Sequence, residues 1–203
     1  MLDRIRAQPV PPMDRSAAPE LEGQLMDDTS FTFPRTITRE ELLIDGNDRL
    51  LRRLLYDVTA LATRIEQMRT EFAKRLGVTK PQYNILLHVA QHQGELGRTV
   101  AQVAEALHVS GAHVTKEVGR LVEMDLLSKS ANPDDGRSVL VKITPTCAEA
   151  IHALAPVLRN VNDSLFGSLD RESFATLSEG IHATLTDAEA TLRKLPFFLE
   201  NSD

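Results

Sequence analysis

The chain has 203 residues, 42% of them hydrophobic, and its 29 acidic and 23 basic side chains give a net charge of −6. This length favours one well-buried core and argues against several independent domains. The single cysteine, Cys147, excludes an internal disulfide framework. The sequence has no apolar leader and no run of about 18 uncharged apolar residues. We therefore expect a cytoplasmic protein without membrane segments.

The first part of the chain is predicted to be a flexible arm. Residues 1–37 are rich in proline and polar side chains and show neither helical nor alternating periodicity. Such a segment cannot bury enough apolar surface to offset the entropy that it loses on ordering. Phe31 and Phe33 are its candidates for docking on the folded part of the chain.

Two helices are predicted next. Thr38 and Glu41 have capping-box spacing, which predicts a short helix that ends near Gly46. From about Asn47 to Arg75, apolar residues recur at three- and four-residue steps, which predicts one amphipathic helix. At about 1.5 Å per residue this helix would be over roughly 40 Å long, so part of its apolar stripe is predicted to pack against a second subunit.

A helix-turn-helix is predicted after Gly77, which ends the long helix. Thr79 caps a helix with Pro81 in its first turn, and this helix runs to about His92. Thr99 caps a shorter helix, which a tight HVSG turn joins to the stretch AHVTKEVGRLVEMDLL. Two short helices joined by a turn of about three or four residues are typical of a helix-turn-helix.

A β-hairpin is predicted immediately afterwards. The candidate strands Leu126–Ala131 and Ser138–Ile143 flank the turn-forming residues Asn132–Gly136, and the second strand alternates strictly. A helix-turn-helix followed by a hairpin is a winged helix, so residues 77–144 are predicted to be one such domain.

Two further helices complete the chain. The first begins at Pro145, and Pro156 is predicted to kink it. The second is capped by Asp170 and is predicted to stop at Pro196. From Ile143 to the last residue there are 4 basic and 9 acidic side chains, so most of the acidic excess lies in these helices and away from the winged helix.

From Asp48 to Leu195, this order of elements resembles the MarR family of winged helix-turn-helix transcriptional regulators. The most specific motifs are the wing residues Asp135-Gly136-Arg137 with Ile143-Thr144, and the helix start Val78-Thr79 with Gln82-Tyr83. The fold class is therefore predicted to be mainly α with a small β-hairpin wing, a winged helix-turn-helix plus a helical dimerisation layer.

The resemblance implies a homodimer in which residues 38–76 and 145–197 form the dimerisation region and residues 77–144 bind DNA. It also implies a small-molecule crevice between the two layers. The predicted function is a ligand-responsive regulator, expected to be a repressor, that binds a pseudo-palindromic double-stranded operator and is released by a small aromatic acid or phenolic effector. The alternative is a winged-helix protein–protein interaction module that does not bind DNA.

Nine residues are predicted to contact DNA: Ser110, Gly111, Ala112, His113, Thr115, Lys116 and Arg120 in the recognition helix, and Asp135 and Arg137 in the wing. A guanidinium at a hairpin tip suits the negative potential of a narrow minor groove, which is the role expected of Arg137. Asp135 is expected to orient Arg137 or to bond the turn backbone. Arg120 either reaches a phosphate or pairs with an acidic neighbour.

Two positions depart from the family pattern. Asp125 stands where the family usually has glycine, and this change is expected to affect the turn into the wing. Glu117 is an acidic residue within the reading helix, so it either faces the amino group of a cytosine or points away from DNA.

The effector site is expected between the long helix, the Pro81 helix and the Ile151 helix. The polar candidates in those helices are Tyr56, Arg64, His88 and His92. An arginine or histidine there would suit a small aromatic carboxylate or a phenol.

An enzyme is not expected. The sequence has no glycine-rich phosphate loop, no His/Cys set with metal-ligand spacing and no nucleophile elbow, so no cofactor or metal is predicted. Cys147 is either a redox sensor, whose pKa a helix N-terminus would lower, or a buried spectator.

Overall fold

The computed structural model describes residues 33–201, and these divide into two compact units between Asp57 and Val58. The described helices are α1 (Arg49–Leu76), α2 (Lys80–His92), α3 (Val100–Ala106), α4 (Gly111–Glu123), α5 (Pro145–Leu165) and α6 (Arg171–Glu200). The strands are β1 (Arg98–Thr99), β2 (Leu127–Ala131) and β3 (Val139–Ile143). Between residues 33 and 201, no helix has the length and apolar character needed to cross a membrane.

The short helix predicted to start at Thr38 is absent, and the capping-box interpretation of Thr38 and Glu41 was wrong. Only a 3-10 turn forms, over Glu40–Leu42, and its N-cap is Arg39, which makes no side-chain capping bond. The chain reverses soon afterwards at Asp45 and Gly46, which both have positive φ, and a bridge between Ile44 and Asn47 closes this turn. The helical part of this segment is therefore limited to one 3-10 turn.

Asp48 binds the start of the described chain to the start of α1. The backbone N–H and the hydroxyl of Thr36 donate to Asp48 Oδ2 at 2.8 and 2.6 Å, and Arg52 forms an ion pair with the same carboxylate. These hydrogen bonds from Thr36, with the nearby charge of Arg52, lower the pKa of Asp48 to about 2. Part of the predicted flexible arm, residues 33–37, is therefore attached to α1, while residues 1–32, with Phe31, lie outside the described residues.

The predicted helix caps of the second unit are confirmed. Gly77 has a φ of +72° at the end of α1, as a left-handed helix terminus requires. Thr79 and Thr99 each form a capping box, with Gln82 and Gln102 respectively as partners. Local sequence signals therefore fix where α2 and α3 begin.

The sheet has three antiparallel strands in the order β1-β3-β2, one more than the hairpin that the sequence predicts. In the hairpin, Leu127 pairs with Ile143 and Ala131 with Val139, while Arg98 and Thr99 of β1 pair with Val141 and Leu140. A two-residue strand is too short to show alternation, so only its pairing with β3 reveals it.

Gly97 allows the chain to approach β3 closely. Its φ is +108°, and a Cβ at this position would lie 2.9 Å from the carbonyl oxygen of Val141. Both the backbone conformation and the space therefore require glycine.

Replacing Gly97 with alanine is expected to lower the free energy of unfolding by about 3 kcal/mol, because strain at φ and a backbone clash combine. Gly119 is the matched control: it lies within α4, and no atom stands within 4 Å of an added Cβ. Gly119→Ala should be neutral or stabilising by up to about 1 kcal/mol. Denaturant unfolding measures both, and equal stabilities for the two variants would contradict the close approach.

The core lies between α2, α3, α4 and the sheet. Six of its residues are 0% exposed: Val89, Val103, Val114, Val118, Leu121 and Val141. Three of them, Val114, Val118 and Leu121, form the inner face of α4 that the sequence predicts, while Val122 is only partly buried. This packing fixes which face of α4 points outwards.

The last helix, α6, extends beyond the end that the sequence predicts. Pro156 lies inside α5, and Pro196 lies inside α6, which continues to Glu200. The expectation that Pro196 stops the helix was wrong. A proline removes one backbone hydrogen bond, and this loss is tolerated here because only one further turn follows it.

Candidate nucleic-acid interface

The N-terminal half of α4 presents polar groups to solvent. Gly111, Ala112, His113, Thr115 and Lys116 are all exposed. The hydroxyl of Ser110 accepts from the backbone N–H of His113 at 3.3 Å, and the Thr115 hydroxyl donates to the Gly111 carbonyl at 2.8 Å. The His113 ring and the Lys116 ammonium remain for contact with a ligand, beside the unpaired N–H groups of a helix N-terminus.

The turn from α4 into the wing contains a left-handed residue that is not glycine. Asp125 has a φ of +56°. Its carbonyl accepts from the Thr144 hydroxyl at 2.6 Å, and its carboxylate accepts from the Thr146 hydroxyl at 2.8 Å. Aspartate tolerates this conformation better than most residues, and the two hydrogen bonds stabilise it.

The wing tip is built from side chain to backbone hydrogen bonds. Asp135 Oδ1 accepts from the backbone N–H of Arg137 at 3.0 Å, so Asp135 bonds the turn backbone, the second of its two expected roles. Asn132 closes the loop by donating to the Ser138 hydroxyl at 2.7 Å. Arg137 is exposed, and its guanidinium makes no ion pair within residues 33–201. The tip therefore holds a free positive charge on an ordered turn.

Glu117 is buried on the inner face of α4, so it points away from the exposed face of this helix, as the second of its two expected orientations required. The residue is 5% exposed and accepts hydrogen bonds from Gln82 Nε2 at 2.8 Å and Arg120 NH1 at 2.9 Å. Arg120 therefore pairs with an acidic neighbour, as one of its two expected roles required. Helical periodicity places Glu117 beside the inner face of α4, but the buried partner from α2 is a long-range contact that the sequence does not reveal.

A crevice of about 500 Å³ lies between α1, α2 and α5, where the effector site was expected. Its polar lining residues are Arg69, Tyr83, Asn84, His88, Gln91 and Asn162, and apolar side chains such as Phe72, Leu158 and Phe166 complete it. The buried Nε2 of His88 has no hydrogen-bond partner. Burial, with the nearby His92 and Arg98, lowers the pKa of His88, so this ring is neutral at neutral pH.

Of the four residues predicted for the effector, only His88 lines this crevice. Tyr56 is 78% exposed, and the Arg64 guanidinium donates to the Ala60 carbonyl at 3.0 Å. His92 stacks on His88 with ring centroids 4.4 Å apart. Arg69, which the sequence analysis did not select, is the cation of the crevice: it lies five residues from Arg64, about 140° around the helix.

Cys147 is a buried thiol. It is 1% exposed, and burial raises its pKa to about 11, the opposite of the shift expected for a redox sensor at a helix N-terminus. Across residues 33–201, no group of three His, Cys, Asp or Glu side chains could hold a metal ion.

We expect Cys147 to be unreactive towards a disulfide reagent such as DTNB at pH 8, because the thiolate is scarce and inaccessible. Denaturant should expose one reactive thiol per chain, and reactivity in the folded protein should rise only as the pH approaches the raised pKa. Release of one equivalent of chromophore from the folded protein at pH 8 would revive the redox-sensor interpretation.

Residues 76–138 match the model of the MarR family. A variant of E. coli MarR complexed with operator DNA is 24% identical, with 68% of this chain and 94% of that chain covered and a TM-score of 0.54. The PcaV transcriptional regulator from Streptomyces coelicolor, in complex with its natural ligand, is 24% identical over 63% of this chain and 91% of that chain, with a TM-score of 0.50.

A MarR protein from Peptoclostridium difficile is 15% identical, with 83% of this chain and 99% of that chain covered and a TM-score of 0.60. No curated protein sequence matches the chain. At these identities the structural likeness establishes the fold, a mainly helical winged helix with a small three-stranded sheet.

Proposed function

We propose that this chain, a member of the MarR family through residues 76–138, is a DNA-binding transcription regulator. Proteins of that family are transcription regulators and not enzymes. The observation that carries the proposal is the exposed N-terminal half of α4, where His113 and Lys116 stand on a helix whose other face is packed into the core. Such a helix is suited to enter the major groove of duplex DNA.

The wing supplies the second contact of the proposed complex. Its tip is ordered by Asp135 and Asn132, and the Arg137 side chain is exposed. We expect Arg137 to enter the adjacent minor groove, where the negative potential favours a guanidinium. Phosphate contacts would come from Ser110 at the helix N-terminus and from Arg120.

The proposed active form is a homodimer. Helix α6 has 30 residues, none of them buried, and its Phe174, Ile181, Leu185 and Leu192 are 46–67% exposed. Within α1, which has 28 residues, only Ala73 is buried. Apolar faces of this size are unfavourable in water and favour a protein interface. A second copy of the chain supplies a matching face by two-fold symmetry and predicts a pseudo-palindromic operator.

The finer proposal is that a small aromatic carboxylic acid or phenol binds the crevice and releases the DNA, which makes the regulator a repressor. Arg69 would pair with a carboxylate, and the unpartnered Nε2 of His88 would bond a carboxylate or hydroxyl oxygen. The aromatic ring would pack against Phe72 and Leu158. Such a ligand changes DNA affinity only if it prefers one spacing of the two DNA-binding domains.

Titration with promoter DNA of its own gene at two salt concentrations tests the proposal. A regulator should give sequence-selective retardation that weakens steeply as salt rises, because phosphate contacts release counterions. Retardation that is absent at low salt, together with salt-independent capture of a protein partner, would favour the alternative interaction module.

The effector proposal is tested by thermal shift with benzoate and its hydroxylated derivatives. Wild type and Arg64→Gln should be stabilised by the same compounds, and Arg69→Gln should lose the response to carboxylates. Equal responses of the two variants would remove Arg69 from the site.

A further inference from the structure

A carboxylate is buried on the inner face of the recognition helix. The Glu117 side chain is 7% exposed and lies in the same helix face as Val114 and Val118, which are 0% exposed. A buried charge is costly unless it is paired and hydrogen-bonded, and an apolar side chain in its place is often no less stable. Packing alone therefore gives no reason for a glutamate here.

Both carboxylate oxygens of Glu117 accept a hydrogen bond. Oε2 accepts from Gln82 Nε2 at 2.8 Å, and Oε1 accepts from Arg120 NH1 at 2.9 Å. Gln82 is fixed at its other end, because its Oε1 accepts the backbone N–H of Thr79 at 2.9 Å. A continuous chain of hydrogen bonds therefore runs from the first turn of α2 through Glu117 to Arg120.

Arg120, the last residue of this hydrogen-bond network, is the one that reaches solvent. The Arg120 side chain is 50% exposed and lies one helical turn beyond Lys116 on the same face of α4. A guanidinium has five N–H donors in a rigid fork, and the bond to Glu117 uses one nitrogen of the three. The remaining donors can bond a phosphate while the ion pair persists.

We infer that Glu117 is a positioning residue, which together with Gln82 holds the Arg120 guanidinium ready for a DNA phosphate beside the major groove. The inference rests on the proposed function and adds to it two residues that do not touch DNA. Its physical reason is entropy: an arginine that is already fixed loses less rotamer freedom on binding than a mobile one.

The direction in which Glu117→Gln changes DNA affinity distinguishes a positioning role of Glu117 from a simple effect of its negative charge. Removing an acidic side chain near DNA should strengthen binding, because it reduces repulsion of the phosphates. If Glu117 positions Arg120, the neutral variant Glu117→Gln should instead weaken binding. Glu123→Gln is the matched control, since it removes the same charge from an exposed position of the same helix.

The experiment measures DNA affinity at several salt concentrations for Glu117→Gln, Glu123→Gln, Arg120→Ala and the double variant Glu117→Gln/Arg120→Ala. We expect Glu117→Gln to bind about three- to tenfold more weakly, in proportion to the side-chain ordering that is lost, and Glu123→Gln to bind as tightly as wild type or more tightly. The double variant should match Arg120→Ala within about twofold, because residues that act as a unit are not additive. Tighter binding by Glu117→Gln, or additive losses, would overturn the inference.

Nuclear magnetic resonance of the DNA-free protein separates this inference from the proposed function. The Arg120 Nε–Hε group should be ordered in wild type and mobile in Glu117→Gln, with unchanged thermal unfolding of the backbone fold. A mobile Arg120 in wild type would overturn the positioning role whatever the DNA result. Absence of salt-dependent DNA binding by wild type, with Arg120 ordered, would count against the proposed function and leave Glu117 as a positioning residue for another anionic partner.

Discussion

Replacing Leu185 with aspartate is expected to convert the proposed dimer into monomers and to lower operator affinity at least about 100-fold. Leu185 is 55% exposed in the single chain and lies on the apolar face of α6 with Ile181 and Leu192. In a two-fold interface the substitution places two carboxylates in an apolar environment, each without a partner. A monomer then contacts one half-site, so it loses the gain in affinity that linked half-sites provide.

Thr186 supplies the control, because it lies about 100° around the helix from Leu185 and about 140° from Ile181, away from the apolar face. Thr186→Asp adds the same charge and should leave both the oligomeric state and DNA affinity nearly unchanged. Sedimentation measures the mass, and a gel-retardation titration measures the affinity. A Leu185→Asp protein that still sediments as wild type would show that the face of α6 is not the interface, and a wild-type monomer would refute the dimer itself.

Replacing Arg137 with alanine is expected to weaken operator binding about 30- to 100-fold, the second largest effect. Each wing loses a net contribution of about 1–1.4 kcal/mol, which is within the range of one hydrogen bond, and the two wings of the dimer together lose about 2–2.7 kcal/mol. The slope of log affinity against log salt concentration should also fall by about 2, because two cationic contacts disappear. Thermal stability should not change, since the exposed guanidinium makes no ion pair within residues 33–201.

The control variant for Arg137→Ala is Arg159→Ala, which removes the same charge from an exposed position of α5, outside the winged helix. Arg159→Ala should change the affinity less than about twofold. Asp135→Ala should give an intermediate loss, because the Arg137 backbone N–H then loses its acceptor and the wing tip becomes less ordered. Equal affinities of Arg137→Ala and wild type would mean that the wing does not reach DNA.

Local sequence signals predicted most of the described winged helix. The caps at Thr79, Thr99 and Asp170 are confirmed, as are the hairpin after α4 and the apolar face of α4. Each of these depends on residues within one or two turns of each other, so their spacing in sequence carries the signal. The same kind of local signal failed at Thr38, where only a 3-10 turn forms, over Glu40–Leu42, before the chain reverses.

The sequence by itself therefore determined the order of helices, the turn that ends in Arg137 and the mainly helical winged-helix class, because capping, periodicity and turn chemistry are short-range effects. The tertiary structure decided which polar groups meet across the chain. It paired Glu117 with Gln82, 35 residues away, turned Arg69 rather than Arg64 into the crevice, joined β1 to β3, and buried Cys147 so that desolvation raised its pKa. These outcomes depend on packing between distant segments, and no spacing along the chain records which segments come together.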